Sequence, residues 1–210
     1  MNATIFSRSN NSPSQSSSST TDILVLIALA ALMLATRAFH VASTLHLPDA
    51  SWAIFFIAGL YLGFASFGVL LIEAVAIDVI YVMNGGDNYC FSVAYGFLAV
   101  AYLVLWFGGY WAGRLQQNNS LHKTSAQILR TVFAWLVAGS VAYLLTNGSF
   151  YWLSGKATSP TLNGWLLNAK RWAFGFIVQP MFYLGVAAVV HFIVVQIKAR
   201  EMKSTEIAGS

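Results

Sequence analysis

Charge is what this chain has least of. Only 9% of its 210 residues are charged, against about 25% in ordinary soluble domains, while 58% are hydrophobic and 15% aromatic. With a mean hydropathy of +0.66, the chain reads as an integral membrane protein. Cysteine is nearly absent. One residue, Cys90, cannot form an intramolecular disulfide, and without a CxxC pair the chain is excluded from disulfide exchange. No nucleotide-binding motif, no internal repeat and no basic patch interleaved with aromatics is present, which argues against ATP hydrolysis and nucleic-acid binding. The formal +4 charge clusters near the ends of apolar runs and therefore reads as membrane topology.

The apolar runs predict an all-α integral membrane protein of six transmembrane helices. Residues 1–22 are Ser-rich and poor in apolar side chains, so a disordered tail is expected there, with Asp22 as N-cap of the first span, Ile23 to Val41. Ala31 and Ala35 form a small-xxx-small pair on that span. Its plain reading is close helix packing; the functional one is a docking face for a partner helix. His46 to Trp52 carries a helix-entry signal, with Pro48 at the start and Asp49 or Ser51 able to accept from free N–H groups. The 31 apolar residues from Trp52 to Val82 are too long for one span and suit two short helices, at about 52–65 and 68–83, broken near Gly63 and Gly68.

Further spans are expected at Phe91 to Ala112, Ile128 to Leu145 and Trp172 to Ile197, the last kinked at Pro180. Between the final two, the aromatic stretch Asn147 to Asn168 reads as an interfacial segment or a lid. The membrane domain thus covers residues 23–197, followed by a basic and polar tail, 198–210. Arg114, Lys123, Lys198, Arg200 and Lys203 would share the cytoplasmic side. Lys156, Lys170 and Arg171 fall on the other.

Two carboxylates, Glu73 and Asp78, stand inside an apolar segment, where such groups are costly enough to be functional candidates. Five residues apart, they do not share a narrow helix face. Asp78 lies nearer the Asn84-Gly85-Gly86-Asp87 turn and is the better site candidate, the alternative being an interhelical contact. Glu73 is expected to pair internally, with an Arg as partner. The turn leads into Tyr89-Cys90-Phe91 at the start of the fourth span. A helix N-terminus favours a thiolate there; the alternative is an inert packed thiol. One cysteine with dispersed His40, His46 and Asp78 lacks the spacing of a structural zinc site. It could supply one axial ligand to a metal already held by four macrocycle nitrogens, as in haem or a corrinoid, with the aromatic neighbours Tyr89 and Phe91 packing on the ring.

The LPDASW stretch, the apolar hairpin with Asp78, and the lone Cys90 followed by Phe91 and AYGFL resemble the BtuM family of small bacterial cobalamin transporters. That family is similar to solitary S-components of energy-coupling-factor transporters, with six membrane helices. The resemblance spans roughly residues 23 to 197. It implies that Cys90 ligates the cobalt of a bound cobalamin, that His40, Asp78 and Tyr95 contribute to the site, and that the protein sits in the bacterial inner membrane with the site facing the periplasm. A thiolate on one axial face weakens the bond to cyanide on the other, so decyanation by Cys90 is a further expectation. Uptake would be either self-contained or dependent on an energising module docked through Ala31 and Ala35. Two other classes stand beside it: a haem protein using His40 and His191, and a structural subunit with no ligand.

Overall fold

The computed structural model describes residues 15–37, 49–86, 92–117, 124–157 and 159–208. It is all-helical, with no strand among the described residues: α1 (Gln15–Arg37), α2 (Ser51–Tyr61), α3 (Ala65–Met83), α4 (Tyr95–Gln117), α5 (Thr124–Leu153), α6 (Leu162–Val178) and α7 (Met181–Ala208). Five segments are long and apolar enough to cross a membrane, with α6 and α7 contributing one of them, Leu162–Val194, and the shorter α2 adding a sixth apolar element. Large apolar side chains cover the outside of the bundle: Ile72, Phe174 and Leu129 are each at least 70% exposed. In water such a surface would drive association; in lipid it matches its solvent.

The centre of the bundle is its shortest helix. At 11 residues, α2 is roughly 16 Å long, about half the hydrocarbon thickness, and every residue from Ser51 to Gly59 is buried. Burial on all sides requires close neighbours, and glycines provide them. A Cβ on Gly59 would strike the Trp106 carbonyl of α4, one on Gly109 the Phe56 carbonyl of α2, and one on Gly113 would come within 2.7 Å of the Leu60 carbonyl. Gly109 and Gly113 thus form a small-xxx-small seam that lets the α2 and α4 backbones touch. Rings close the remaining space. Phe55 stacks on Tyr102 at 4.2 Å, and Phe56 meets Trp135 of α5 edge-on at 5.4 Å.

The expected pair of short helices is present, with the break at Leu62 to Phe64; Gly68 lies inside α3 rather than at the break. Two other expectations are corrected. Helix α1 begins at Gln15, so the segment 15–22 is helical and Asp22 is an interior residue, not an N-cap; extending a helix from a stable span costs far less than nucleating one. The aromatic stretch Asn147 to Asn168, expected as an interfacial segment or a lid, is mostly helix. Phe150 to Trp152 belong to the last turns of α5 and Trp165 to the first turns of α6, which leaves a connection of 154–161. Thr161 caps α6, its Oγ1 accepting from the Gly164 N–H at 3.1 Å. At the other end of the chain the polar tail continues α7 as helix to Ala208.

The last span breaks at Gln179 and Pro180, as a proline inside an apolar run demands. Past the break, the N–H groups of Phe182 and Tyr183 return to Gln179 and Pro180, so a carbonyl in the last turn of α6 needs another donor. The buried Trp135 indole supplies it, its Nε1–H donating to the Ile177 carbonyl at 2.9 Å. Within a membrane such a freed backbone group has no water to turn to.

Candidate functional site

Arg37 ends α1, and its guanidinium is the hub of one end of the bundle. Nε donates to Asp78 Oδ1 at 2.7 Å and Nη2 to Asp78 Oδ2 at 2.5 Å, a two-pronged pair between α1 and α3. Nη1 faces three acceptors: Tyr102 Oη of α4 at 2.9 Å, Ser51 Oγ at the start of α2 at 3.0 Å, and Asp49 Oδ2 at 3.3 Å. Its two hydrogens serve three oxygens, and the longest contact is the one to the half-exposed Asp49. Asp49 Oδ1 in turn accepts from the Ser51 N–H at 2.9 Å and the Ser51 hydroxyl at 2.7 Å. This is the helix-entry role expected of it. Tyr95, the first residue of α4, donates its hydroxyl to Asp78 Oδ2 at 2.7 Å.

Four helix ends are therefore tied by a single cation. Arg37 and Asp78 are mostly buried, their side chains 13% and 19% exposed. Burying two such ions costs least when each finds nearly its full set of hydrogen bonds, and here Asp78 accepts three while Arg37 makes five contacts through four of its five N–H groups. The rings of Tyr95 and Tyr102 line a recess of about 230 Å³ between α3 and α4, with Leu71, Ala74, Val75 and Leu98 among its apolar walls. Small-molecule sites commonly occupy about 300–1,000 Å³. By itself, the recess accommodates only part of a large ligand.

Of the residues singled out in the sequence, Asp78 and Tyr95 are brought into direct contact. Cys90, with its neighbours Tyr89 and Phe91, and His40 lie outside the described residues. The chain leaves α3 at Asn84 to Gly86 and re-enters at Ser92, just before Tyr95, so the Cys90 segment joins the two helices that carry Asp78 and Tyr95. No known family model and no curated protein matches this chain. Among the described residues, no group of three or more His, Cys, Asp or Glu side chains is arranged to hold a metal ion.

Asp78 is an interhelical contact, and Tyr95, which it bonds, lines the recess. The Arg expected for Glu73 belongs to Asp78 instead. Glu73 makes no ion pair or hydrogen bond among the described residues. Arg37 and Tyr102 escaped the sequence reading, and Ser51 reads there only as a helix-entry residue. The available signal was Arg37 itself, a lone cation closing a long apolar run, which calls for an acid on a neighbouring helix. His191 stacks on Tyr61 at 5.5 Å. Since Tyr61 ends the helix that Ser51 begins, this imidazole lies away from the Arg37 cluster. Ala31 is exposed, and α1 packs inward through Leu29, Met33 and Thr36, so the Ala31 position does not serve packing within the bundle.

Proposed function

We propose that the protein binds cobalamin and carries it across the bacterial inner membrane, with the thiolate of Cys90 as an axial ligand of the substrate's cobalt. The observation that carries this reading is the Tyr95–Asp78–Arg37 cluster, because two residues expected at a corrinoid site are bonded together beside an apolar recess. The helices that bear them are joined by the Cys90 segment. A corrinoid has an apolar macrocycle edged with amides. Apolar walls suit the macrocycle, and the soft thiolate suits cobalt. The site then faces the periplasm, opposite the Arg114 loop and the basic C-terminal segment.

Axial donation by sulfur would labilise the cyanide on the opposite face of cyanocobalamin. Decyanation is accordingly part of the proposal. The decisive experiment is the absorption spectrum of purified protein with cyanocobalamin. The expected result is a thiolate-type shift and a rise in unfolding temperature, with the shift abolished in Cys90→Ser. An unshifted spectrum with no stabilisation would sink the proposal, and a Soret band in the protein as purified would favour haem.

A second reading concerns the energy source. The exposure of Ala31 on the outward side of α1 suits an S-component that docks through Ala31 and Ala35 onto an energising module of the energy-coupling-factor type. Uptake in a host without such modules separates the two. Failure there, rescued by supplying a module, would favour docking.

A further inference from the structure

We infer that Glu73 is a proton-binding carboxyl that is neutral within the bilayer, and that exchange of its proton with water is the coupling event of transport. The second clause rests on the transport reading above; the first does not. Glu73 stands eight residues after Ala65 and ten before Met83 on α3, roughly 12 and 15 Å from the two helix ends. It is therefore near mid-depth in the span. Around the helix it borders the outer face. Val69, Ala76 and Ile80, at i−4, i+3 and i+7, are exposed, as is Ile72 beside it at 73%, whereas Leu70, Ala74 and Ile77 are buried against the bundle. Glu73 itself is half-buried, and the medium at its exposed side is hydrocarbon.

Among the described residues, no neighbouring charge compensates it. Helix α3 packs on α1, α2 and α4. On α1, Arg37 is committed to Asp78, Asp49, Ser51 and Tyr102, and Asp22 is exposed, before the apolar run. The one titratable side chain of α2, Tyr61, stacks on His191. On α4, Tyr95 and Tyr102 belong to the Arg37 cluster, while Arg114 lies over the ring of Tyr110 at 4.9 Å. On α3 itself, Asp78 is held by Arg37, and the ring of Tyr81 lies under Gly86. An isolated carboxylate in hydrocarbon is disfavoured far more than the neutral acid, so the group takes up a proton. When α3 shifts to bring Glu73 to water, the carboxyl O–H breaks, the proton passes to water and the carboxylate forms; return to lipid requires the reverse.

The test uses dicyclohexylcarbodiimide, an apolar reagent that adds across the O–H of a protonated carboxyl in lipid and rearranges to a stable N-acylurea with no leaving group. Full-length protein in phosphatidylcholine vesicles is labelled between about pH 6 and about pH 9 and read by mass spectrometry. A single adduct at Glu73 at neutral pH, absent in Glu73→Gln, is expected, with Glu73→Gln unfolding at the same temperature as the parent. No adduct at any pH, or a marked loss of stability in Glu73→Gln, would overturn the proton site and point to a cationic partner instead. In the same vesicles, an acid-outside gradient should raise cyanocobalamin uptake several-fold in the parent and leave Glu73→Gln unaffected. Uptake indifferent to the gradient overturns the coupling alone. No uptake under any gradient overturns both coupling and transport, with the adduct still reporting the proton site.

Discussion

Asp78 and Glu73 are both carboxylates on one helix, five residues apart, yet their surroundings differ completely. Asp78 points inward at a bundle end and accepts from Arg37 and Tyr95. Glu73 stands near mid-span at the edge of a lipid-facing ridge, with no polar partner among the described residues. In a membrane the cost of a carboxylate is set by what surrounds it, so Asp78, with three donors, serves as a fastener, while Glu73 has no such compensation among the described residues.

Removing the cation from the fastened acid should have the largest effect. Arg37→Ala leaves Asp78 buried without its partner, and a loss of about 3–5 kcal/mol is expected, read as a fall in unfolding temperature in detergent. The double variant Arg37→Met with Asp78→Leu should lose clearly less than the sum of its singles; additive losses would mean that the two groups are not coupled. Next comes Tyr95→Phe. It removes one hydrogen bond to a charged acceptor and should cost about 1.5–3 kcal/mol, with weaker cyanocobalamin binding measured by the same absorption titration. The smallest effect sharpens the contrast most. Glu73→Leu should move stability by no more than about 0.5 kcal/mol in either direction, whereas Asp78→Leu strands Arg37 and costs several times that. Equal losses for the two leucine variants would erase the distinction between the two sites.

Much of this was readable along the chain. The interrupted run from Trp52 to Val82 reads as two short helices, which are present, and Pro180 as a kink in the last span, where the structure has a full break between two helices. Each follows from local chemistry, because a backbone in lipid must bond to itself and proline removes a donor. The small-xxx-small pair Ala31 and Ala35, by contrast, does not mark the close packing within the bundle. Ala31 faces outward, and the close approach belongs to Gly59, Gly109 and Gly113, where α2 and α4 backbones meet. Spacing marks a face that permits contact without saying which helix arrives there. The aromatic stretch Asn147 to Asn168, expected as an interfacial segment or a lid, is mostly helix, since aromatics suit a helix at the interface as well as they suit a loop.

Composition by itself determined that this is a membrane protein made of helices, and it singled out Asp78, because apolar length and rare charged residues are local properties of the chain; Tyr95 entered only through the family resemblance. Only the tertiary structure decided that Arg37 belongs to Asp78 and not to Glu73. An ion pair between residues 41 positions apart depends on which helix ends meet, and here the close approach of α2 and α4 brings the surrounding helix ends together.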